Sequence, residues 1–492
     1  MTRKVVVIGA GVAGMATALI CAGQGDTVTL VEKAPQLGPN LRGFHRGGVA
    51  FDIGVHYLGA IDEHDIMPSY FRYLGLAPLT FIPFQKEGFE RLILESSESV
   101  IDVPVGCERV ADMASSLFPD DSSGISDYLD QVQARCSTSP FLNFDTKYAP
   151  SSSFHLFENL SVENVLNERM ESPEARALFG VGSMLYGTPP SRAPFDIHAK
   201  VVGTYYRSAG MVEGGGEALT RSFVQALVDR GVECIVGAAV QTIELSASGA
   251  VAAVQLDNGR QLEADMCVCC THPGILPELL PQKALRPVYR KRLHSLQSTP
   301  SAYAIFARCR RPVPEFWGRA TCVLSSPDVE IGYSPTTPQE ERPLWFYSTN
   351  YNGQQGLTIF TSGFFDEVSD WQDSSRTSRP GEYTEFKQRC TERILHRVYR
   401  LFPSLRGNLD ILESATPLTF KDYLSSPGGG LYGPMHTVDQ SDVLPMTKVP
   451  GLFLAGQATI APGVLGAIVS SCVACGVIYG FETILEGVRS CR

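Results

Sequence analysis

A nucleotide-binding turn near the start of the chain limits the folds that the sequence can adopt. The stretch KVVVIGAGVAGMA (residues 4–16) begins with a β-branched run, which is typical of a parallel strand buried on both faces. Gly9, Gly11 and Gly14 follow with G-x-G-x-x-G spacing. The first glycine permits a tight turn, the second lets a pyrophosphate approach the backbone, and the third lets the helix pack closely. A strand, turn and helix that bind a dinucleotide are therefore predicted.

The second strand of this unit ends at an acidic residue. The segment DTVTLVE (residues 26–32) places Glu32 where its carboxylate can accept hydrogen bonds from both hydroxyl groups of an adenosine ribose. The same negative charge would repel a 2′-phosphate, which disfavours NADP at this site. We expect Glu32 and the adjacent Lys33 to contact the nucleotide.

The residues after Glu32 favour FAD over NAD. The stretch EKAPQLGPNLRG (residues 32–43) places Gly38 and Arg42 after the acid. This order is similar to the E-x5-G-G-x2-R extension of FAD-binding oxidoreductases that include amine oxidases and phytoene desaturases, although Pro39 stands where a second glycine is usual. The planar fork of an arginine suits a flavin pyrophosphate. A solvated loop arginine is the alternative interpretation of Arg42.

Further segments, far apart in the chain, complete a flavin-binding unit rather than a contiguous NAD domain. Residues 212–245 predict a glycine-rich turn, an amphipathic helix and a strand, and a hairpin follows them. Residues 449–467 predict a strand that ends at Gly456 and a helix that begins near Gly466. Free N–H groups at the start of that helix would face the isoalloxazine carbonyls, where negative charge develops on reduction.

Four blocks of sequence resemble the phytoene desaturase superfamily, and they are most similar to its retinol saturase and carotenoid isomerase branch. The blocks are FDIGVHYLG (51–59), YGTPPSRAPFDIHAKVVGTYY (186–206), ATPLTFKDYLSSPGGGLYG (415–433) and GLFLAGQATIAPGVLGA (451–467). The resemblance implies a mixed α/β fold, in which a Rossmann-like FAD-binding domain of the GR2 type is interleaved with a substrate domain built on a mixed β-sheet with helices. It also implies desaturation, saturation or cis–trans isomerisation of apolar, conjugated substrates, with hydride moving between a substrate carbon and flavin N5.

The same blocks carry the expected FAD contacts. The family places the adenine beside the residue at Val240, and Gln457 stands where many flavoproteins of this class carry an aspartate for the ribityl chain. The predicted cofactor-binding residues are Gly9, Gly11, Val12, Ala13, Gly14, Glu32, Lys33, Gly38, Arg42, Val240, Gly456, Gln457, Gly463, Leu465, Gly466 and Ala467. The sequence shows no second, nicotinamide-binding unit, so the electron partner stays open. Its thirteen cysteines lack the paired spacing of a zinc site, and no metal is predicted.

The order of the segments predicts discontinuous domains. Residues 1–85, 203–290 and 405–492 are assigned to the FAD-binding domain, and residues 86–202 and 291–404 to the substrate-binding domain. Within the substrate-binding domain, we expect strands at 303–310, 344–350 and 356–365 and a long amphipathic helix at 383–403.

Three residues are candidates for catalysis. His56 can carry a proton near the flavin because histidine titrates near neutral pH, and a structural imidazole is the alternative. Tyr205 can line an apolar tunnel or donate a proton, with plain packing as the alternative. His436 lies in a region that in the family passes the reactive edge.

Other reactive side chains are interpreted as structural. Asp52 is expected to cap or turn its loop rather than to act as a nucleophile. Cys472 and Cys475 have redox spacing, but they lie on an apolar helix and are expected to be small core residues.

Composition and apolar runs restrict the partners. The net charge of −11 and the lack of a basic stripe argue against nucleic acid, and scattered cysteines indicate a reducing, cytoplasmic compartment. The uncharged segment 452–481 is long enough to span a bilayer. Pro462 and Gly463 split it into a buried strand, a turn and a helix interrupted by Ser470, Ser471 and Gly476. Peripheral membrane contact, a carrier-bound form of the apolar substrate and the oligomeric state stay open.

Three functions are compatible with these features. The first is an FAD-dependent oxidoreductase that acts on carbon–carbon double bonds of an apolar substrate. Amine or amino-acid oxidation on the same scaffold is the second, because one fold can support several chemistries. The third is a flavin-stabilised binding partner in a biosynthetic pathway that performs no net redox chemistry.

Overall fold

The computed structural model describes residues 2–149, 160–440 and 443–492. The strands are β1 Lys4–Ile8, β2 Thr27–Glu32, β3 Phe44–Arg46, β4 Val49–Phe51, β5 Leu58–Gly59, β6 Phe81–Pro83, β7 Glu90–Leu94, β8 Ser99–Val103, β9 Ala209–Val212, β10 Glu233–Val236, β11 Val240–Leu245, β12 Val251–Leu256, β13 Gln261–Glu263, β14 Met266–Cys269, β15 Ser301–Cys309, β16 Ala320–Leu324, β17 Leu344–Tyr351, β18 Gln354–Gly363, β19 Leu409–Ala415 and β20 Leu452–Leu454. The helices are α1 Val12–Gly23, α2 Ile66–Leu74, α3 Cys107–Leu117, α4 Ser122–Thr138, α5 Val162–Arg169, α6 Pro173–Gly180, α7 Phe195–Arg207, α8 Gly215–Asp229, α9 Leu276–Leu279, α10 Pro287–His294, α11 Gly381–Leu401, α12 Pro417–Leu424, α13 Gly463–Tyr479 and α14 Phe481–Arg489.

A parallel sheet of five strands organises the nucleotide-binding half, in the order β10-β2-β1-β14-β20. Its central strand β1 is buried from Val5 to Ile8. Val5 and Val7 pack with residues of α1 and α13, whereas Val6 and Ile8 pack on the other face with residues of β11 and β12. The alternation of side chains along a strand explains why one apolar run fills both cores.

The second large sheet is mixed and has seven strands, in the order β19-β15-β18-β17-β16-β7-β8. Strands β16 and β7 pair in parallel, and the other neighbours pair antiparallel. The predicted mixed α/β class is therefore confirmed. Strand β19 joins this sheet although its residues fall within the 405–492 segment, and the division into domains stays a prediction.

The expected elements of the second sheet are present with small shifts at their ends. Residues 303–310, 344–350 and 356–365 correspond to β15, β17 and β18, and the expected helix at 383–403 corresponds to α11. Helix ends often shift by one or two residues because the last turns lack intrahelical partners.

The apolar segment 452–481 forms β20, a turn and α13, and α14 begins at its last residue. Helix α13 begins at Gly463, before the expected Gly466, and it is continuous, so the expected interruption at the two serines and Gly476 is wrong. Ser471 Oγ donates to the carbonyl of Ala467, 3.0 Å away within the same helix, which satisfies the hydroxyl without breaking the backbone ladder. Among the described residues, no helix combines the length and apolarity that crossing a membrane requires.

Candidate active site

The glycine turn after β1 has the geometry that its sequence predicts. Gly9 has a φ of +93°, and its N–H donates to the carbonyl of Val31 at 2.8 Å. A Cβ on Gly14 would lie 1.7 Å from the Gly9 oxygen, whereas a Cβ on Gly11 would meet no described atom within 4 Å. Gly14 is therefore required by close packing, and Gly11 borders open space that a ligand can use.

Two helices present free N-terminal N–H groups beside this turn. Within the described chain, neither α1 nor α13 has a capping side chain or an acidic residue in its first turn. The two helices are in contact, because Ser471 Oγ in the middle of α13 lies 2.9 Å from the carbonyl oxygen of Ala13 in the first turn of α1 and shares its single hydrogen between that carbonyl and the Ala467 carbonyl. A Cβ on Gly456, at the end of β20, would lie 4.0 Å from the Cβ of Ala13. Two uncapped N-termini with partial positive charge suit phosphate and flavin oxygens.

Helix α8, in contrast, is capped by the protein itself. Its Gly216 N–H donates to Asp52 Oδ1 at 2.8 Å. Burial is the main cause that raises the pKa of Asp52 to about 6, while the Gly216 N–H partly opposes this rise. The expected capping role of Asp52 agrees with this contact.

Glu32 is held in place at the end of β2. Its side chain is 6% exposed, and its two carboxylate oxygens accept hydrogen bonds from the N–H groups of Ala10 at 2.7 Å and Ala34 at 2.8 Å. Each oxygen keeps a lone pair for a ribose hydroxyl. The Ala238 N–H donates to the Glu32 carbonyl, which places Val240 and the start of β11 on the same side. Lys33 is exposed.

The loop that carries Gly38 and Arg42 is tied to the glycine turn. The Gly38 N–H donates to the carbonyl of Ala10 at 3.0 Å, and Gly38 has a φ of +65°. The N–H of Arg42 donates back to the Gly38 carbonyl, and its Nε donates to the carbonyl of Leu37 at 2.8 Å. Pro39 follows Gly38 in this turn, a position at which the fixed φ of proline is favourable.

The start of α13 also meets the predicted requirements for small residues. A Cβ on Gly466 would lie 2.2 Å from the carbonyl oxygen of Ala461, whereas Gly463 has a φ of +82° and open space around its Cβ position. Leu465 is partly buried and Ala467 is buried in the same first turns. Glycine is therefore needed at position 466 for close packing and at position 463 for backbone conformation.

Five aromatic rings in contact with one another, together with Tyr432, form what we call the aromatic cluster. The five are His56, Tyr57, Tyr205, Tyr347 and Phe360, and Tyr432 lies close enough to influence the three other tyrosines electrostatically. The His56 ring stacks on Tyr347 with centroids 4.3 Å apart and an interplanar angle of 7°, and Phe360 packs edge-on against His56 at 5.1 Å. The rings of Tyr57 and Tyr205 lie 4.9 Å apart. Tyr57 is buried and the other five rings are partly exposed, so the cluster borders open space.

The groups of the aromatic cluster are uncharged at neutral pH. Burial lowers the pKa of His56 to about 4, so its imidazole is neutral. Burial, with smaller contributions from Tyr432, raises the pKa values of Tyr57, Tyr205 and Tyr347 above the ordinary tyrosine value. The cluster therefore offers a neutral, aromatic surface.

The structure brings two of the three catalytic candidates together. His56 and Tyr205 both belong to the aromatic cluster, whereas His436 hydrogen-bonds through Nε2 to the carbonyl of Gln457 at 2.6 Å. Since a carbonyl only accepts, His436 Nε2 carries the proton in this contact. A Cβ on Gly433 would lie 3.3 Å from the Gln457 side chain, so the segment after Tyr432 connects the cluster to the start of α13.

The sequence predictions missed Glu90, a buried carboxyl beside the aromatic cluster. Its Oε2 lies 3.5 Å from the hydroxyl of Tyr57. A signal was present, because Glu90, Leu92 and Leu94 alternate along β7 and share its buried face. No comparable sequence pattern pointed to the other cluster residues that the predictions missed, which are Tyr57, Tyr347 and Phe360.

The predicted core cysteines are buried and free. Cys472 and Cys475 lie on α13 with no exposed surface, and burial raises the pKa of the Cys472 thiol. A buried thiol with a raised pKa is a poor nucleophile, which agrees with the structural interpretation of this pair.

Comparison with known proteins relates this geometry to flavin enzymes. The family model described as flavin-containing amine oxidoreductase matches residues 12–478. The chain is 23% identical to the all-trans-retinol 13,14-reductase of Danio rerio over 526 residues, covering 98% of this chain and 86% of that protein. It is 21% identical to a 4,4′-diapophytoene desaturase of Staphylococcus haemolyticus over 493 residues, covering 92% and 94% of the two chains. The predicted resemblance to the phytoene desaturase and retinol saturase group is thereby confirmed.

A solved structure of an oxidoreductase from Methanosarcina mazei is similar over the whole fold. It superposes with a TM-score of 0.66 at 16% identity and covers 96% of this chain and 99% of that one. At this identity the likeness shows the fold alone.

Proposed function

This chain belongs to the flavin-containing amine oxidoreductase family, and from that premise we propose that it adds or removes hydrogen at a carbon–carbon double bond of an apolar, conjugated substrate. The family membership and the named relatives make it a flavin-dependent oxidoreductase. The proposal that the reaction occurs at a carbon–carbon double bond rests on the aromatic cluster. There the ring of His56 stacks on Tyr347, and its imidazole is neutral.

FAD is the flavin that the residues of the nucleotide half fit. The carboxylate of Glu32 suits the adenosine ribose, the uncapped start of α1 suits the pyrophosphate, and the start of α13 suits the flavin ring. Open space at the Cβ position of Gly11 leaves room for a phosphate to approach the backbone. When bound, FAD supplies hydride exchange at N5.

The aromatic cluster supports an apolar, conjugated substrate. Its neutral rings can pack against a flat polyene and exclude water from the reacting carbons. Its partly exposed faces border open space, and Tyr432 extends the cluster toward Gln457 and α13. Retinol and diapophytoene, named for two relatives, belong to this chemical class.

The test is an absorption spectrum of the purified protein, followed by anaerobic titration of the oxidised and dithionite-reduced forms with all-trans-retinol and a carotenoid. Bleaching of oxidised flavin by a polyene supports desaturation, and reoxidation of reduced flavin supports saturation. A change of isomer while the flavin stays reduced supports isomerisation.

Other outcomes overturn the proposal. A colourless protein that does not retain added FAD contradicts the cofactor assignment. Hydrogen peroxide released with amines, and no reaction with polyenes, supports the amine oxidase alternative. Bound flavin that couples to neither class supports the non-redox binding partner.

We also propose that the enzyme contacts an anionic bilayer surface, from which an apolar substrate can be drawn. Although the net charge is negative and no long basic stripe was predicted, residues 283–292 form a short basic segment with five Lys and Arg and no acidic residue, and α10 in this segment exposes 81% of Val288. Basic residues beside an exposed apolar side chain favour anionic lipid. Sedimentation with phosphatidylserine vesicles should exceed that with phosphatidylcholine alone, and Lys291→Glu should weaken it while Lys86→Glu does not. Equal sedimentation with both vesicles contradicts this contact.

A further inference from the structure

Glu90 is a carboxyl on the inner face of the mixed sheet. It begins β7, and with Leu92 and Leu94 it belongs to the buried side of that strand. Its neighbour Arg91 lies on the opposite side, where its guanidinium pairs with Asp102 at 2.7 Å. Glu90 is 7% exposed, so solvent does not screen its charge.

The groups around Glu90 leave its charge uncompensated. The titratable side chains that face it are Tyr57, Tyr205 and Tyr206, with Cys322 on β16 and Tyr347 on β17. Of the residues that the structure describes, no Lys, Arg or His forms an ion pair with it. Burial raises the pKa of Glu90 to about 7, while the Tyr57 hydroxyl partly opposes this rise. The carboxyl can therefore hold or release a proton at neutral pH.

A small cavity lies beside Glu90, and the side chain of Tyr206 separates it from a larger, solvent-side cavity. Glu90, Tyr205 and Tyr206 line a cavity of about 20 Å³, which has room for one water molecule. Tyr206 also lines a second cavity of about 630 Å³ that opens between α3, α4 and α7. Tyr206 is thus shared by the solvent-side cavity and the cavity beside Glu90. Protons that reach Glu90 from the solvent-side cavity must therefore pass the side chain of Tyr206.

We propose that Glu90, acting through the hydroxyl of Tyr57, supplies or removes the proton that accompanies hydride transfer at the aromatic cluster. This inference rests on the proposed function. Tyr57 connects the two regions, because its hydroxyl lies 3.5 Å from Glu90 Oε2 and its ring packs against Tyr205 and Tyr347 of the cluster. In this role Glu90 does not contact the substrate. It is a positioning residue that exchanges a proton with the Tyr57 hydroxyl.

The proton and electron balance is complete in both directions. In reduction, bound FAD in its reduced form would supply the hydride and its two electrons to one alkene carbon as the π bond breaks. The other carbon would take the proton of the Tyr57 hydroxyl, and Tyr57 would recover a proton from Glu90. Glu90 would in turn recover a proton from bulk solvent, with a water in the small cavity serving only as a relay. In oxidation, each transfer would run backward: Glu90 would accept the proton through Tyr57, and the oxidised cofactor would supply the hydride acceptor.

The first test measures the protonation state of the Glu90 carboxyl in the absence of substrate. Infrared difference spectra of the purified protein, recorded across neutral pH, should show a carbonyl band of a buried neutral carboxylic acid that disappears as pH rises. Glu90→Gln should remove this band, and the surface variant Glu340→Gln should keep it. Absence of a titrating band, or its persistence in Glu90→Gln, overturns the proposal. If no polyene reacts with the wild type, the proposed function fails and this spectrum alone decides whether Glu90 holds the proton.

The second test measures how the reaction rate depends on the protonation of Glu90. The rate at which a polyene reoxidises reduced flavin should fall as pH rises above about 7 in the wild type, since the neutral carboxyl is then depleted. Glu90→Gln should slow this rate about a hundredfold, the ordinary effect of removing a proton donor, and abolish its pH dependence. Tyr57→Phe should slow the reaction similarly, and Glu90→Asp should restore a pH-dependent rate. A Glu90→Gln variant with the wild-type rate and pH profile overturns the proposal.

Discussion

Replacing Glu90 with glutamine should make the protein more stable at neutral and alkaline pH. The carboxyl is buried, and no cation of the described chain pairs with it, so ionisation costs free energy in the folded state only. The amide of glutamine has nearly the same shape and can still accept a hydrogen bond from Tyr57. The substitution therefore removes a charge penalty while it keeps the packing.

The size of the effect follows from the two pKa values. Glu90 titrates near its ordinary value of 4.5 in the unfolded chain and near 7 in the folded protein. Below about pH 4.5 both states hold the proton, and wild type and variant should be equally stable. Between these values the wild type loses about 1.4 kcal/mol per pH unit relative to the variant. Above about pH 7 the difference should level off at about 3 kcal/mol in favour of the variant.

The assay is urea unfolding of wild type and Glu90→Gln across this pH range, followed by tyrosine fluorescence or circular dichroism. Other titrating groups such as His56 are present in both proteins and cancel in the difference, and Glu340→Gln reports the effect of removing an exposed carboxylate. If the difference in free energy of unfolding between wild type and Glu90→Gln does not change with pH, the buried, unpaired state of Glu90 is refuted. A variant that is less stable than wild type at neutral pH would show that the carboxylate is charged and paired.

Three further predictions concern other parts of the site. The imidazole of His56 should titrate near pH 4 by NMR because burial lowers its pKa, and a midpoint near 6.5 would contradict its placement. Below about pH 3.8, where Asp52 is protonated in both states, Asp52→Ala should lower the free energy of unfolding in urea by about 1 kcal/mol because α8 loses its cap, and Asp52→Asn should match the wild type. Above about pH 6, Asp52→Asn should be more stable than the wild type, because it keeps the bond to Gly216 and removes a buried charge. Gly14→Ala should prevent folding, because its Cβ would lie 1.7 Å from a backbone oxygen. Gly11→Ala should fold, by thermal unfolding, yet bind less FAD by absorbance, and full FAD retention by Gly11→Ala would contradict the open space assigned to phosphate.

Much of the nucleotide half could be predicted from short stretches of sequence. The glycines at positions 9 and 14 meet local requirements of backbone conformation and close approach, and these requirements recur wherever such a turn is built. The acid that ends β2 follows from the same local rules, whereas α13 begins at Gly463, before its predicted start near Gly466. The serines within α13 misled the prediction, because both hydroxyls find hydrogen-bond partners while the helix continues. Ser471 bonds to nearby carbonyls, and Ser470 accepts from the Gly456 N–H and pairs with the Thr459 hydroxyl.

The candidate catalytic residues needed the tertiary structure. His56 was identified from its motif, but its stacking on Tyr347 depends on strands that are distant in the chain, and burial then sets its pKa. His436 was predicted from its neighbourhood, and only the fold shows that it contacts the carbonyl of Gln457.

The sequence by itself determined the nucleotide-binding turn and the strand-helix-strand order around it, because these depend on spacing within short segments. The class of enzyme came from the resemblance of four sequence blocks to a known family. Only the tertiary structure decided that Glu90 faces Tyr57 and that Tyr206 separates two cavities. Contacts between separate elements and the loss of solvent around a carboxyl arise when the mixed sheet and α7 pack together. Proton affinity depends on that environment, and no local pattern of residues encodes it.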